Sequence, residues 1–296
     1  MLSSLASTPT VRSYTVSSVT VDNSGYSRIA VDNSNTVYLL GTNAGIAIVN
    51  PVTGGTTTIV ADPLTTTLGI VGSVNFWYVA SDGSHFIVTT TGKFYGFRGR
   101  YPNSPATLLF TVTDSIGGNY GPGMNSAGTA FYFPNSTSNA TTRVTNFAQS
   151  SGQGTTFTQT NISAFQNNIY GADNIGNVWG GIDYGNGVIY SYPSPGYSRT
   201  QLTTTSTANL RPILIDADGT PIFLAVSTNS SAVNQLVKLS GTPPNQTFVL
   251  LPGTTTSSLG GASQITAHCC IHIPSRTIYV YYGIDARPLY TITPTY

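Results

Sequence analysis

The sequence predicts an all-β protein, and three observations predict it. First, the chain of 296 residues contains no glutamate and only two lysines, so it lacks the residues that usually cover exposed helix faces. Second, Ser and Thr make up about a quarter of the chain beside 18 tyrosines and 31 glycines, a composition typical of strands and turns. Third, one pattern of strand, tight turn and strand recurs along the chain.

The bulk composition excludes several classes of protein. Hydrophobic residues make up 40% of the chain and the net charge is +1, which indicates a globular protein with no electrostatic footprint for nucleic acid or an anionic membrane. No apolar stretch approaches the roughly 18 to 20 residues of a spanning helix. The first residues lack the basic and apolar regions of a conventional signal peptide. The two cysteines, Cys269 and Cys270, are adjacent, so we expect no long-loop disulfide within the chain.

The recurring pattern is an apolar strand, a short turn of Asp, Asn or Gly, and a second strand rich in aromatic and β-branched residues. It reads IAVDNSNTVYLL from Ile29 and ILIDADGTPIFLA from Ile213. Each unit continues with a third strand and usually a fourth, which is the pattern of a β-propeller blade. One residue of each turn serves as an anchor, and the anchors lie between 43 and 56 residues apart: Asn35, Gly83, Gly128, Gly176, Gly219 and Ser275.

The two ends of the chain predict how the ring closes. The sixth unit offers three strands, and one unassigned strand lies near the N-terminus at Val11 to Val21. We therefore expect a six-bladed β-propeller whose N-terminal strand completes the last blade, because an open ring would leave exposed sheet edges. An N-terminal arm over 1–10 would precede a single propeller domain over 11–296. The expected blades are about 27–62, 66–115, 118–162, 164–206, 209–253, and 260–296 plus 11–21.

The turns in IAVDNSNTVYLL and LIDADGTPIFL resemble those of the NHL and SMP-30/gluconolactonase-like propellers. The resemblance covers nearly the whole chain and implies the fold. Enzymes of that group carry a metal site in the central channel, built from acidic and amide side chains with Glu prominent, and this chain has no Glu. We expect no cofactor. The recurring aspartates are expected to bond their own turns: Asp32, Asp82, Asp173, Asp216 and Asp218.

One cluster of residues has metal-ligating chemistry. In the run His268-Cys269-Cys270-Ile271-His272, alternation along a strand places His268, Cys270 and His272 on one face. Imidazole and thiolate groups in that arrangement bind zinc or copper. The alternative is that the cysteines are small core residues, and no other His or Cys than His85 is present to complete a site.

Two further features concern the surface. Aromatic and Arg residues are enriched at recognition surfaces, so Arg98, Arg100 and Tyr101 form a candidate binding loop; the alternative is a solvated loop packed on its blade. Five sequons are permissive for glycosylation, although a chain so rich in Ser and Thr contains about as many by chance. They begin at Asn135, Asn139, Asn161, Asn229 and Asn245.

Two classes of function remain open. The uncharged polar composition without Glu resembles virion and surface proteins of thermoacidophilic archaea and their viruses. That resemblance implies a non-enzymatic virion component (a capsid decoration, spike or host-attachment domain) at the virion surface or outside the cell. Its partners would be other virion or surface-layer proteins and a host glycan or receptor. A fold held by ladder hydrogen bonds and apolar burial would also be insensitive to acid.

The second class is a secreted propeller enzyme of lactonase or lyase type. Such an enzyme would need Asp, His or Arg side chains that converge at one mouth of the channel. A lectin-like propeller is a related alternative without catalysis, in which Trp77 and Trp179 would stack on sugars.

Overall fold

The structure, a computed structural model, describes most of the chain. The described residues are 9–22, 25–41, 44–61, 64–97, 106–111, 123–135, 140–145, 158–163, 168–181, 188–203, 209–226, 235–255, 259, 267–283 and 288–296. Within them the protein is almost entirely β, with one short helix, α1 (Leu64–Thr67). No helix of these ranges has the length and apolar character needed to cross a membrane.

The strands form six antiparallel sheets of four strands each, which confirms the predicted six-bladed β-propeller. The first three blades, with their strands in chain order, are blade 1 with β2 (Arg28–Val31), β3 (Val37–Gly41), β4 (Gly45–Val49) and β5 (Thr56–Val60); blade 2 with β6 (Val74–Val79), β7 (His85–Thr89), β8 (Lys93–Phe97) and β9 (Thr107–Thr111); and blade 3 with β10 (Gly123–Met124), β11 (Ala130–Asn135), β12 (Ala140–Thr145) and β13 (Thr158–Ser163).

The remaining three blades follow the same order of strands. They are blade 4 with β14 (Asn168–Ala172), β15 (Val178–Gly181), β16 (Ile189–Tyr192) and β17 (Thr200–Gln201); blade 5 with β18 (Asn209–Ile215), β19 (Pro221–Val226), β20 (Gln235–Ser240) and β21 (Thr247–Leu250); and blade 6 with β22 (Ala267–His272), β23 (Thr277–Tyr282), β24 (Pro288–Thr295) and β1 (Ser13–Thr20).

The ring closes through the N-terminal strand. β1 pairs antiparallel with β24 along its whole length, from Ser13 opposite Thr295 to Thr20 opposite Pro288. This 3+1 arrangement confirms the predicted closure and leaves β24 paired on both sides. The first strands of neighbouring blades contact one another around the ring, so they are the strands that surround the central channel.

Hydrophobic clusters between neighbouring blades form the core. Each of the six clusters joins two successive blades. Successive side chains of a strand point to opposite faces, so Tyr38 and Leu40 pack against blade 2 while Val37 and Leu39 pack against blade 6. Because both faces of β3 are covered, all five of its residues are buried.

The interface between blades 2 and 3 is the most aromatic of these clusters. The rings of Phe94 and Phe110 stack with their centroids 4.2 Å apart, and Phe131 meets Phe86 edge-on at 5.4 Å. Burial of each such side chain contributes about 1.5–3 kcal/mol, and favourable ring pairs add to it. Apolar packing of this kind, repeated at six interfaces, holds the disc together and fixes the turns at its end.

Candidate functional site: the turn ring

The turns between first and second strands share one geometry in all six blades. In each turn the fourth residue has a positive φ, and its backbone N–H donates to the carbonyl oxygen three residues earlier. These fourth residues are Asn35 (φ 61°), Gly83 (84°), Gly128 (67°), Gly176 (96°), Gly219 (80°) and Arg276 (57°). We call the six turns the turn ring; its segments are 32–35, 80–83, 125–128, 173–176, 216–219 and 273–276.

Five of the six sequence anchors occupy this fourth position. The sixth anchor, Ser275, was wrong by one residue, because the left-handed position there is taken by Arg276. Glycine and asparagine tolerate that conformation, whereas an arginine gives no sign of it in a sequence.

Aspartate side chains organise the turns. Asp32 Oδ1 accepts the backbone N–H groups of Ser34 at 2.8 Å and Thr36 at 2.9 Å, and Oδ2 accepts the Tyr38 hydroxyl at 2.8 Å. Backbone N–H groups donate to the other turn aspartates in the same way: Ser84 to Asp82, Ile175 and Asn177 to Asp173, Ala217 to Asp216, and Thr220 to Asp218. The predicted structural role of these carboxylates is therefore confirmed.

Hydrogen bonds also join each turn to its neighbours across blades 1 to 4. The Asn33 backbone N–H donates to the Ser81 carbonyl at 2.9 Å, and the Ser81 N–H donates to the Ser126 carbonyl at 2.8 Å. The Asn174 side chain then bonds Ser126 Oγ at 2.8 Å and accepts the Ala127 N–H at 2.9 Å. The turns of blades 1 to 4 thus form a connected belt rather than four independent loops.

Blade 6 joins this belt to blade 1 through side chains. His272 Nδ1 lies 2.6 Å from Ser275 Oγ within its own turn, and Nε2 lies 3.1 Å from the Asn33 carbonyl oxygen. The Tyr279 hydroxyl donates to Asn35 Oδ1 at 2.9 Å. Both ring nitrogens of His272 are therefore used to hold the two turns together.

Arg276 joins blade 6 to blade 5 with charge. Its Nε donates to Asp216 Oδ1 at 2.7 Å, and its Nη2 bonds both Asp216 Oδ2 and Asp218 Oδ2, the latter at 2.7 Å. Nη1 donates to the Pro9 carbonyl at 2.8 Å. The side chains of Arg276 and Asp216 are only 6% and 2% exposed, so this is a buried ion pair. Hydrogen bonding to Asp216 is the main cause that raises the pKa of Arg276.

A cavity of about 130 Å³ lies beside this ion pair, between blades 5 and 6. Tyr14 and Lys238 line it together with Arg276, Asp216 and Asp218, so its two positive and two negative charges balance. Burial, reinforced by Asp216, raises the pKa of Tyr14 to about 12, which keeps its phenol protonated at neutral pH. Burial alone would raise the pKa of Asp218, but bonds from Thr220 and Arg276 outweigh it and lower the value.

The predicted metal-ligating residues lie where the sequence placed them, along β22. Both ring nitrogens of His272 are engaged in the turn ring. Burial holds the pKa of the Cys270 thiol well above its ordinary value, so the thiolate that metals prefer is disfavoured. His268, Cys270 and His272 are all described, and no group of three His, Cys or Asp in the described ranges is arranged to hold a metal ion.

The third histidine, His85, is fully buried between blades 1 and 2. Trp77 Nε1 donates to its Nδ1 at 3.2 Å, and the ring stacks on Phe97 with centroids 4.7 Å apart. Nε2 has no hydrogen-bond partner within the described ranges. Burial lowers the pKa of His85 to about 3, so the imidazole is neutral at neutral pH.

Both tryptophans are buried, which contradicts their predicted role in sugar stacking. Trp77 is 7% exposed within the cluster between blades 1 and 2, and Trp179 is 8% exposed between blades 4 and 5. Their rings pack against aliphatic and aromatic neighbours because the first and second strands are covered on both faces. Neither presents a flat face to solvent.

The other predicted surface features fall partly outside the described residues. Arg98, Arg100 and Tyr101 of the candidate binding loop lie outside them, as do Asn139 and Asn229. Asn135 ends strand β11 and Asn161 lies in β13, while Asn245 is exposed in the turn between β20 and β21. Of the candidate glycosylation sites, Asn245 is the one described as exposed, and glycosylation stays a prediction.

The donor set for a propeller metal site of the SMP-30 type does not fit this chain. Such a site uses acidic and amide groups with Glu prominent, and the chain has no Glu. The turn aspartates have their oxygens occupied by backbone N–H groups, as at Asp32, or by Arg276, as at Asp216.

Comparison with known proteins identifies a fold but no family. No family model matches the sequence, and no curated protein does. Among solved structures, the chain is similar to a catalytically inactive histidine-to-alanine variant of virginiamycin B lyase from Staphylococcus aureus with quinupristin (TM-score 0.55, 14% identity, covering 95% of this chain and 99% of that one). It is also similar to the PQQ-bound form of an aldose sugar dehydrogenase from Streptomyces coelicolor (TM-score 0.61, 11% identity, covering 96% and 99%). Identities this low show the shared six-bladed propeller and nothing finer.

Proposed function

We propose that the chain is a non-enzymatic, surface-exposed structural or attachment module, a rigid disc that presents the loops of its blades to a partner. The observation that carries the proposal is the use of the titratable groups in the turn ring. Every described aspartate of the ring accepts hydrogen bonds within the scaffold, and His272 and Arg276 join neighbouring blades. The Asp, His and Arg side chains of the turn ring, which could otherwise contribute to a hydrolytic or lyase site, thus serve the scaffold.

The finer part of the proposal is location. The absence of Glu, with charged residues at 7% of the chain, supports a component of a virion or surface layer that contacts other coat proteins and a host glycan or receptor. Nearly uncharged surfaces favour contacts between like molecules. Resistance to acid does not support this location, because the lowered pKa values of Asp218 and of the buried His85 both make the fold sensitive to acid.

Fractionation tests this location. Mass spectrometry of purified particles, cell envelope and soluble cytosol from the source cells should find the chain with the particles or the envelope. Detection in soluble cytosol alone would contradict the proposal. The same spectra would report modification at Asn245 and the other sequons, and a glycan array on the purified chain would test a host glycan as partner.

A second candidate is a secreted propeller enzyme, favoured by the lyase and dehydrogenase among the similar structures. Incubation with quinupristin, and separately with aldoses and added PQQ, tests it by mass spectrometry of the products. We expect no turnover above that of a heat-denatured control. Turnover that increases with protein concentration would replace the first proposal with the second.

A further inference from the structure

Arg28 differs from Arg276 of the turn ring, because no described residue forms an ion pair with it. It begins β2, the first strand of blade 1, and pairs with Leu40, whereas Phe76 of β6 pairs with Val88. Both residues lie three positions before the last pair of their ladder, so they stand at the same level on neighbouring strands of the channel. The guanidinium carbon of Arg28 lies 5.9 Å from the centre of the Phe76 ring.

The positive charge of Arg28 lacks a counter-ion in the described part of the chain. Its Nη1 is buried without a hydrogen-bond partner there, and the ion pairs of those residues involve Arg276 instead. Burial lowers the pKa of Arg28, and the neighbouring Tyr78 opposes that shift. An arginine stays protonated in proteins, so a half-buried cation persists against two aromatic side chains.

Among the residues that the structure describes, this arrangement is unfavourable without a ligand. A buried charge needs a paired charge or a full set of hydrogen bonds, and the face of one phenylalanine compensates only part of the loss of hydration. The guanidinium presents several N–H donors in one plane, a geometry that matches the two oxygens of a carboxylate or phosphate. Phe76 and Tyr78 add an aromatic wall on which the body of an organic anion could rest.

We propose that Arg28 anchors an anion-binding site on the wall of the central channel, which takes a small oxyanion, a carboxylate or a phosphate, against Phe76 and Tyr78. The half-buried Arg28 side chain pairs with the anion through its guanidinium, and the aromatic side chains exclude water from one side of the pair. The site is independent of where the chain resides and of the partner that its loops contact.

The test is a titration of the purified chain with benzoate, inorganic phosphate and neutral benzamide at constant ionic strength, read by thermal shift and calorimetry. We expect saturable stabilisation by benzoate, by phosphate or by both, and none by benzamide. Benzoate alone would identify a carboxylate site, phosphate alone a phosphate site, and both a general oxyanion site. The absence of any saturable response to either anion would overturn the proposal.

Variants assign the response to Arg28. Arg28→Met should weaken binding by about tenfold or more, because bonds between charged partners are among the strongest single contributions. Arg28→Lys keeps the positive charge but lacks the planar set of N–H donors. Its anion affinity should lie between those of the unsubstituted chain and Arg28→Met. The matched control is Arg199→Met, since Arg199 is exposed and stacks on Tyr190 with 4.9 Å between its guanidinium carbon and the ring centre. Unchanged binding in Arg28→Met, or equal loss in Arg199→Met, would contradict the assignment.

A crystallographic readout does not depend on the variants. Crystals soaked with 4-bromobenzoate should show anomalous density for bromine within the channel, with the carboxylate facing Arg28. If benzoate binds in the titration, density only elsewhere on the surface would overturn the proposal.

Discussion

Arg276 and Arg28 differ in how the protein uses the same side chain. Arg276 at the turn ring meets two aspartates and a carbonyl oxygen, so each part of its guanidinium has a partner. Arg28, about 13 Å of extended strand from its own turn, meets aromatic side chains instead. The difference separates a charge that holds blades together from a charge that has no counter-ion among the described residues and that we propose for a ligand.

The largest expected effect is the loss of the Arg276 ion pair. Arg276→Met should lower the free energy of unfolding by about 3–5 kcal/mol, because it leaves the buried Asp216 without its partner. Urea denaturation at neutral pH measures this, and Met keeps the backbone strain of the positive φ unchanged. Arg199→Met is the control, with an expected loss of about 0.5–1 kcal/mol for its exposed ring contact. Equal losses in the two variants would show that the buried pair does not hold blades 5 and 6 together.

Much of the fold could be predicted from the sequence, because the tight turns contain glycine, asparagine and aspartate. The turn residues separate the apolar and aromatic strands. The six units, the antiparallel sheets and the 3+1 closure all follow from this pattern. The left-handed position at Arg276 could not be predicted, because an arginine in the sequence does not indicate a positive φ.

The site was harder to predict than the fold, because it depends on contacts between blades. Arg276 and Asp216 are 60 residues apart in the sequence, and no local pattern relates them. Likewise, the sequence does not show that neighbouring blades cover both faces of the strands that carry Trp77 and Trp179. Their burial, which rules out stacking on sugars, therefore could not be predicted. His272 looked like a metal ligand, and its actual bonds to Ser275 and Asn33 require the neighbouring blade.

The second prediction contrasts the neutral, buried imidazole of His85 with the buried ion pair of Arg276 and Asp216. The pKa of His85 falls from about 6.5 in the unfolded chain to about 3 in the folded one, so only the unfolded chain takes up its proton between these values. The stability tied to His85 is complete above pH 6.5 and is lost as the pH falls toward about 3. Between pH 7 and pH 4 the loss should be on the order of 3 kcal/mol. His85→Phe should remove most of this pH dependence, measured by urea denaturation at both values.

The ionic interface responds in a different range of pH, which provides the control for His85. Because the pKa of Asp218 is lowered in the folded protein, its contribution is present above its ordinary value and is lost only as the pH falls through the lowered value. Asp218→Asn should therefore change the profile mainly below about pH 4. If His85→Phe retained the full loss between pH 7 and pH 4, burial of His85 would not be its cause.

The third prediction concerns turns whose left-handed position is occupied by glycine and not by Arg276. Gly83→Ala should destabilise the protein by about 1–2 kcal/mol, because its φ of 84° strains any side chain, while the new Cβ would make only ordinary contact with Asp32 Oδ2 at 3.4 Å. Gly219→Ala shares the positive φ and has open space, so its loss should be about the same. Gly196→Ala, which has open space and no positive φ, should change stability by less than about 0.5 kcal/mol. Thermal unfolding of the three variants ranks them, and a neutral Gly83→Ala would contradict the proposed rigidity of the turn ring.

The smallest effect is also the most direct test of the central claim, that Arg276 serves the scaffold while Arg28, which has no counter-ion in the described part of the chain, binds a ligand. The measurement is the urea unfolding of Arg28→Met and Arg276→Met side by side, in a buffer without phosphate or carboxylate. Arg28 has no counter-ion among the residues that the structure describes, so its removal should leave Arg28→Met as stable as the unsubstituted chain or about 1 kcal/mol more stable, while Arg276→Met loses about 3–5 kcal/mol. A loss in Arg28→Met as large as that in Arg276→Met would contradict the account.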